Sequence, residues 1–341
     1  MIFRRFIPCA TFIVLLACSI QSIRADGRYP DNPLQLDQDL VLSASGLRRI
    51  NLRNLQPIWT ALPGIDTFEP VATGQHLLIG SRRGVHAIDR DSGRVLWSQG
   101  TDTTLFSPAV AHGRAFVGGM DGSIRALALA SGEPLWRRRV DGWVYTPAVA
   151  GDVLVVGGEA GRIHGLSTID GTTRWARELD QQLVHRPVAT PAGIVTTTFS
   201  GDIRLLDPRT GEPVWRVRAP VASFSPVVAD TRLYFGRYDG RLDVRALTDG
   251  RLLWSDKLNG RLSLPVTFHD AHVIATSPEG EIAAFDRRTG RPFWRCQLDG
   301  ELIASTLVAE GGWFAFTQAG PRRFDPGTCR LQPHSPEGGT E

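Results

Sequence analysis

Five consecutive stretches of the chain carry an aromatic or imidazole side chain two residues before a proline. These side chains are Phe68, Phe106, Tyr145, His185 and Phe224. Flat rings at the mouth of a channel can anchor a partner protein, because aromatic residues supply much of the binding energy at interfaces. The alternative is packing inside the fold, where aromatic side chains are commonly buried. Both interpretations stay open from the sequence.

Trp143 is a second candidate for a binding anchor. It is the one tryptophan outside both the regular tryptophan series described below and the predicted strands. The nearby run Arg137 to Arg139 is interpreted as a solvated strand edge rather than a phosphate site. His185 has no partner ligand at a metal-binding spacing, so we expect a hydrogen-bonded residue and no metal. The sequence contains no recognisable nucleophile and base constellation.

Two of the four cysteines, Cys296 and Cys329, lie in the part of the chain expected to fold. Export to an oxidising compartment would permit a disulfide between them. Two unpaired, partly buried thiols are the alternative, and the sequence does not choose between the two states.

The other two cysteines, Cys9 and Cys18, belong to a predicted targeting signal. Basic residues precede an apolar run over residues 6–20 that is too short for a membrane span. Leu15-Leu16-Ala17-Cys18 resembles a bacterial lipobox, which predicts lipidation of Cys18, and Ser19 after it favours the outer membrane. Cleavage after Ala25, which would release a soluble protein, is the alternative. We therefore expect an exported, periplasmic protein, with a signal peptide at residues 1–18.

Charge gives no reason to expect nucleic acid or anionic lipid as a partner. The formal net charge is +3, and Arg4, Arg5 and Arg24, three of the 38 basic residues, lie close to the N-terminus. Without them the basic residues equal the 35 acidic ones. A nearly neutral chain lacks the field that attracts polyanions. We expect membrane contact only through the lipid, and a monomer.

An internal repeat of about forty residues decides the fold class. Tryptophans recur at spacings of 38, 39, 39, 40, 39 and 40 residues, and prolines and glycines recur in two further phases. Each unit contains four short strands separated by turns such as Asp121-Gly122 and Ser131-Gly132. A four-stranded sheet cannot bury both faces alone, whereas stacking sheets around an axis buries them all, as in a β-propeller. The tryptophans are Trp59, Trp97, Trp136, Trp175, Trp215, Trp254 and Trp294.

The two ends of the repeat predict a closed ring of seven blades. Ile58-Trp59 reads as a fourth strand without predecessors, while residues 303–325 supply three strands without a following tryptophan. An N-terminal strand that completes the last blade would join them. We therefore expect an all-β, seven-bladed propeller over residues 56–330. Residues 19–55 are predicted to be a tether with a short helix near Leu34–Leu42, and residues 331–341 a disordered tail.

The end of each unit resembles the tryptophan-docking motif of quinoprotein-type propellers, Ala-x-Asp-x-x-Thr/Ser-Gly-x-x-x-Trp. Residues 87–97 and 284–294 match the motif throughout, and other units keep its glycine and tryptophan. The resemblance spans residues 56–329. It implies that each tryptophan of the series packs between adjacent blades and fastens one to the next, a role that suits a flat apolar ring with one donor.

Two functions occur among the propellers that this repeat resembles. Some are enzymes that bind pyrroloquinoline quinone, with eight blades, an adjacent cysteine pair and a calcium held by Glu, Asn and Asp. Others are non-enzymatic, of the BamB outer-membrane assembly lipoprotein type. The chain has no adjacent cysteines, and Asn259 is the only asparagine of the predicted ring. The gaps from tryptophan to the next proline are uniform, at 11 or 12 residues, whereas catalytic lids need longer loops.

We therefore expect a non-catalytic periplasmic scaffold, without cofactor, that binds envelope proteins such as the outer-membrane assembly machinery. The alternative is a propeller that binds the quinone or another ligand and acts as an enzyme or sensor. The partner-binding loop of the BamB type, Leu-x-Leu-Arg-Gly-Glu-Ser, has no match here. The corresponding loops read Asp141-Gly142-Trp143-Val144-Tyr145 and Gln181-Gln182-Leu183-Val184-His185.

Overall fold

The computed structural model describes residues 33–332, apart from Val184, Phe199, Ser225, Glu310 and Gly311. The regular structure in this part consists of antiparallel β-strands in eight sheets, which we call blades 1 to 8 in chain order. In this described part, no helix has the length and apolar character needed to span a bilayer. The predicted signal peptide and Cys18 lie outside the described residues.

The strands follow one another along the chain without crossovers between blades. Blade 1 contains β1 (Leu34–Leu36), β2 (Asp39–Asn51) and β3 (Pro57–Asp66). Blades 2 to 4 contain β4 (Val71–Thr73), β5 (His76–Ser81), β6 (Gly84–Asp89), β7 (Val95–Gly100); β8 (Ala109–Ala111), β9 (Arg114–Gly118), β10 (Ser123–Ala128), β11 (Pro134–Arg139); and β12 (Ala148–Ala150), β13 (Val153–Gly157), β14 (Arg162–Ser167), β15 (Thr173–Glu178).

The remaining blades repeat the four-strand pattern. Blades 5 and 6 contain β16 (Val188–Thr190), β17 (Gly193–Thr197), β18 (Asp202–Leu206), β19 (Pro213–Arg218); and β20 (Val227–Ala229), β21 (Arg232–Gly236), β22 (Arg241–Ala246), β23 (Leu252–Lys257). Blades 7 and 8 contain β24 (Thr267–His269), β25 (His272–Thr276), β26 (Glu281–Asp286), β27 (Pro292–Gln297); and β28 (Ala304–Ala309), β29 (Gly312–Thr317), β30 (Gly320–Asp325), β31 (Arg330–Leu331).

Burial follows the order of strands from the axis outward. The short first strands of neighbouring blades contact one another, for example β8 with β12 and β12 with β16, and so line the axis. Second strands are buried on both faces, because a neighbouring blade covers each side; all five residues of β13 are buried. Fourth strands form the outer edge, where β11 exposes most of its arginine-rich length. Charge on an exposed edge discourages pairing with other chains.

Six tryptophans of the regular series join blades 1 to 7 in succession. Trp59 Nε1 donates a hydrogen bond to Arg90 O, 3.1 Å away in blade 2. The equivalent bonds run from Trp97 to Leu129, Trp136 to Thr168, Trp175 to Pro208, Trp215 to Leu247 and Trp254 to Arg287. Each accepting carbonyl belongs to the turn between the third and fourth strands of the following blade.

A glycine in the same turn makes room for each indole. A Cβ at Gly132 would lie 2.5 Å from Trp97 Cε3, and one at Gly93 would lie 2.6 Å from Trp59 Cδ2. We call these residues docking glycines; they have φ near +70° and contact the preceding tryptophan. They are Gly93, Gly132, Gly171, Gly211, Gly250 and Gly290. Turn aspartates support this conformation, since Asp89 Oδ1 accepts the Ser92 N–H at 2.8 Å.

The prediction of seven blades is wrong, because residues 34–51 form part of an additional blade rather than a tether with a short helix. Within β2 the chain folds back on itself: Asn51 Nδ2 donates to Asp39 Oδ1 at 3.2 Å. A straight strand of this length would separate its ends by about 40 Å. The two halves of β2 therefore provide the second and third strand positions, and β1 and β3 provide the first and fourth.

Trp59 accordingly does not complete the last blade. It lies on β3, where it pairs with Arg49 of β2, and its indole docks on blade 2. Blade 8 has a fourth strand of its own, β31, paired with β30. Two sequence signals of blade 1 were available: Pro33 lies 37 residues before Pro70, and Gly46 lies 38 residues before Gly84.

The ring closes by side-chain packing between blades 8 and 1, since over the described residues no strand of one pairs with a strand of the other. Their shared core is Leu40, Ile50 and Leu52 with Ala304, Phe314 and Phe316. Arg323 Nη2 donates to Leu52 O at 2.9 Å and also to Arg53 O. Leu52 O corresponds to the turn carbonyl that accepts an indole N–H in blades 2 to 7. At this interface Arg323 is therefore the donor in place of a tryptophan.

Substitution of a docking glycine should lower the free energy of unfolding more than substitution of a glycine that has the same positive φ but open space around it. Gly132→Ala and Gly113→Ala both force alanine into positive φ, at an expected cost of about 1–2 kcal/mol. Only Gly132→Ala also drives a methyl group into Trp97, which should add about 1–3 kcal/mol, whereas Gly113 has nothing within 4 Å. Denaturant unfolding measures both losses, and equal losses would contradict this account of docking.

Arg323→Ala should weaken ring closure selectively. Loss of charged hydrogen bonds to two carbonyls is expected to cost about 1.5–3 kcal/mol. Hydrogen exchange should quicken in residues 39–52 of blade 1 and remain slow in blade 4. Arg322→Ala is the control, because that side chain donates to Gln332 within its own blade. Unchanged exchange in blade 1 for Arg323→Ala would argue against an arginine-fastened seam.

Candidate partner-binding face

The connections between blades and the turns between second and third strands lie at one end of the ring. Glu159 in such a turn donates its N–H to Trp143 O at 3.2 Å, and Val144 donates to Gly119 O at 3.1 Å. We call this end the loop face. The turns with the docking glycines lie at the opposite end, because third strands run from one end to the other. Most predicted binding residues, including Trp143 and Tyr145, belong to the loop face.

Three of the five residues that lie two positions before a proline form a continuous aromatic row. The ring centroids of Phe68 and Phe106 are 5.5 Å apart, and those of Phe106 and Tyr145 are 5.1 Å apart. The row crosses from blade 2 to blade 4, so it joins blades in addition to lining the face. Phe106, in the middle, is only 7% exposed, while Phe68 and Tyr145 are half-buried.

The row is held at the face by backbone contacts with the ends of second strands. The N–H of Phe106 donates to Gly118 O at 2.9 Å within its own blade. A Cβ at Gly80, in the preceding blade, would lie 2.1 Å from Phe106 O. Glycine is therefore required where the next blade's chain crosses the strand end. This glycine series was not predicted, although its signal is visible in the repeat as Gly80, Gly118, Gly157 and Gly236.

His185 and Phe224 form a second aromatic group, in blades 5 and 6. Their ring centroids lie 6.0 Å apart, and Tyr238 follows Phe224 at 6.4 Å. Tyr238 was not predicted; it lies in a loop-face turn and is 62% exposed. Burial lowers the pKa of His185 to about 4, partly offset by a hydrogen bond with the Ser223 backbone. The imidazole is therefore neutral at physiological pH.

Residues next to this series face the axis. Glu69 and Arg186 each precede a proline, in blades 2 and 5. Burial raises the pKa of the Glu69 carboxyl, and the charge of Arg186 partly offsets that rise. Side chains three blades apart can influence one another in this way only across the central channel. Glu69 and Arg186 therefore approach one another across the channel mouth.

Trp143 stands apart from both aromatic groups and lines a groove between blades 3 and 4. The groove has a volume of about 600 Å³. Met120 and Val140 contribute apolar surface, and Arg139, Asp141 and Glu159 contribute charge. A second groove of about 450 Å³ on the same face is lined by Arg261, Glu279, Asp299 and Glu301 among others.

One wall of the Trp143 groove is fixed by an ionised aspartate. Asp121 accepts hydrogen bonds from Arg125 Nη2 at 2.8 Å and Arg137 Nη2 at 2.7 Å. Burial opposes ionisation of Asp121, but hydrogen bonds from Ser123 and Arg125 outweigh it and lower the pKa to about 2. The arginine run 137–139 is thus partly engaged within the blade, and the wall keeps its shape at neutral pH.

The residues present do not fit a quinone and calcium site of the kind that the enzymes carry. Cys296 lies on β27 at the outer edge, 33 positions before Cys329, so the two reduced thiols of this structure are not the adjacent pair that covers the quinone. The ring includes Asn51 and Asn54 besides Asn259, yet Asn51 is bound to Asp39, which also pairs with Arg49 at 2.7 Å. Over the described ranges, no three His, Cys, Asp or Glu side chains cluster as metal ligands would.

Comparisons with known proteins identify similar chains. The profile of a family described as "Outer membrane protein assembly factor BamB" matches residues 43–182, 120–263 and 199–320. A protein of that name from Marinobacter adhaerens is 25% identical over 139 residues, which are 40% of this chain and 35% of the relative. The alignment thus spans about a third of that relative's length.

Two solved structures share the fold at low sequence identity. BamB from Moraxella catarrhalis superposes with a TM-score of 0.67 at 17% identity, covering 86% of this chain and 95% of that one. A quinohemoprotein alcohol dehydrogenase from Comamonas testosteroni reaches 0.69 at 13% identity, covering 84% and 70%. At these identities the likeness establishes the propeller fold alone.

Truncation should separate the structural rings of the loop face from the exposed ones. Phe106→Ala removes a buried ring between two others and should lower the free energy of unfolding by about 3 kcal/mol. Trp143→Ala removes a half-buried indole from an open groove and should cost less than about 1 kcal/mol. Denaturant unfolding of both variants tests this, and a large loss for Trp143→Ala would mean that the indole belongs to the core.

Proposed function

The chain belongs to the protein family described as outer membrane protein assembly factor BamB, and from that premise we propose that it is a non-catalytic adaptor of the cell envelope. In this role it binds partner proteins, among them the machinery that assembles outer-membrane proteins. The main support is the extent of the family match, which runs from residue 43 to residue 320 and so covers blades 2 to 7 in full and parts of blades 1 and 8.

The construction of the ring supports an adaptor role. Six tryptophans join blades 1 to 7 in succession by hydrogen bonds, and the aromatic row links blades 2 to 4 at the loop face. A face held in this way keeps its shape when a partner binds, so little conformational entropy is lost on association. The interior carboxylate Asp202 is neutralised by Arg204 and Arg216, which serves the fold rather than a reaction.

The Trp143 groove is the proposed centre of partner contact. An aromatic side chain with a rim of charged groups is the usual composition of an interaction hot spot, because the rim excludes water from the ring. Arg139, Asp141 and Glu159 supply that rim. Tyr145 and Tyr238 extend aromatic surface along the same face, at the two ends of the aromatic groups.

We further propose that the protein lies in the periplasm, where a lipid on Cys18 holds the ring at the outer membrane. The family's name supports association with that membrane. We propose a monomeric adaptor, since each exposed large apolar side chain of the outer strands lies on a different blade. Ile58, Val95, Leu135 and Val214 are such isolated positions.

Site-specific crosslinking in the native host tests the adaptor role. A photoreactive phenylalanine derivative at position 143 or 145 should capture a protein whose depletion also reduces insertion of outer-membrane β-barrels. The same probe at Ile169 is the control, because that residue is 65% exposed but lies in a turn at the opposite end of the ring. Trp143→Ala should reduce the amount captured at position 145.

Two results would count against the adaptor. Capture of the same protein from position 169 would remove any role for the loop face. Binding of pyrroloquinoline quinone with calcium to the purified protein, seen as a saturable absorbance change, would favour the enzymes of this fold. We expect no such change, because the donor set of the described residues does not fit that pair.

A further inference from the structure

Blade 8 has no docking glycine. Cys329 occupies its docking-glycine position: the Cys329 N–H donates to Asp325 O at 2.8 Å, as the Gly290 N–H donates to Asp286 O at 2.9 Å in blade 7. Its φ is +56°; the equivalent position is a glycine in blades 2 to 7 and Leu55, with φ +59°, in blade 1. Because Leu55 has the same strained backbone in blade 1, the contacts of the Cys329 side chain, rather than its φ, indicate a use for it.

Cys329 faces Cys296 across the interface between blades 7 and 8. Cys296 lies on β27, two residues after Trp294, and is 2% exposed, while Cys329 is half-buried and packs against the cluster that contains it. Cys329 Sγ lies 3.7 Å from Arg295 O, next to Cys296 in the chain. Burial raises the pKa of the Cys296 thiol to about 12, with a contribution from its hydrogen bond with Cys329.

The repeat supplies an independent measure of the geometry. A Cβ at docking glycine Gly250 would lie 3.0 Å from Val217 Cγ1, and one at Gly171 would lie 2.9 Å from Arg138 Cγ. Val217 and Arg138 hold the place of Cys296 in their blades. In a disulfide each Cβ lies about 3 Å from the sulfur of its partner, given an S–S bond of about 2.04 Å. The distance between a Cβ at the docking position and the γ atom of the residue two positions after the preceding tryptophan therefore matches the distance in a disulfide.

We infer that Cys296 and Cys329 form a disulfide that fastens blade 8 to blade 7. The bond would stabilise the blade that closes the ring, which has no tryptophan of the series within residues 295–332. Because the two cysteines are 33 positions apart, the crosslink would also restrict the unfolded chain.

The oxidant is an external disulfide, such as that of a thiol oxidoreductase. The more exposed Cys329 attacks it as a thiolate, forms a mixed disulfide and releases one thiolate of the oxidant. Cys296 then loses its proton and attacks Cys329 Sγ, which releases the second thiolate. Two protein thiols become one disulfide, and the external disulfide becomes two thiols.

Peptide mapping of the exported, full-length protein tests the inference. The protein is isolated without reductant, its thiols are alkylated under denaturing conditions, and it is digested. We expect a linked peptide pair that contains Cys296 and Cys329, two hydrogen atoms lighter than the separate peptides. Reductant should separate the pair and lower the Tm by about 5 °C.

Two variants keep the test independent of folding defects. Cys329→Gly restores the docking glycine, and Cys296→Ala copies Ala61, the residue at the same place in blade 1. Both should fold and should show a Tm that reductant does not change. Recovery of both cysteines as alkylated peptides from the unreduced protein would overturn the inference. A wild-type Tm insensitive to reductant would overturn the fastening role.

Discussion

The contact of an indole with a docking glycine is the interaction on which this ring depends. Each blade exposes an apolar face that a neighbour must cover, and the contact sets the distance and angle between the two sheets. Gly93 and its equivalents have no Cβ, so the ring of the preceding tryptophan lies directly on the backbone. The indole N–H then satisfies a turn carbonyl such as Arg90 O. One side chain thus provides both apolar packing and a hydrogen bond to a backbone carbonyl of the next blade.

The two interfaces next to the chain ends depart from this pattern, and the departures are compensated by other side chains. Between blades 8 and 1 an arginine takes over the hydrogen bond, since Arg323 reaches Leu52 O, while Phe314 and Phe316 supply apolar contact. Between blades 7 and 8 the glycine is replaced by Cys329, and Trp294 packs against Trp313 with ring centroids 5.0 Å apart. A closed ring without exchanged strands needs such fastenings at its seam.

The loop face shows how a repeat can carry function without long loops. Its aromatic positions serve two purposes: Phe106 is buried and joins blades, whereas Trp143 and Tyr238 remain accessible beside charged groups. The sequence identified Phe68, Phe106, Tyr145, His185 and Phe224 as one series, but it could not divide them by burial. That division depends on the glycines of second strands, which let one blade's chain cross another's strand end.

The period of the tryptophans, prolines and glycines was sufficient to determine the propeller and the role of the turns, because these residues act within one repeat or between neighbours. The number of blades was decided only by the tertiary structure. Blade 1 has Leu55 where blades 2 to 7 have a docking glycine, and its middle strands are joined by a hairpin too tight to read as two elements. Strand pairing is made by backbone groups that every residue carries. Trp59 could therefore pair with either end of the chain until the folded backbone selected its partner.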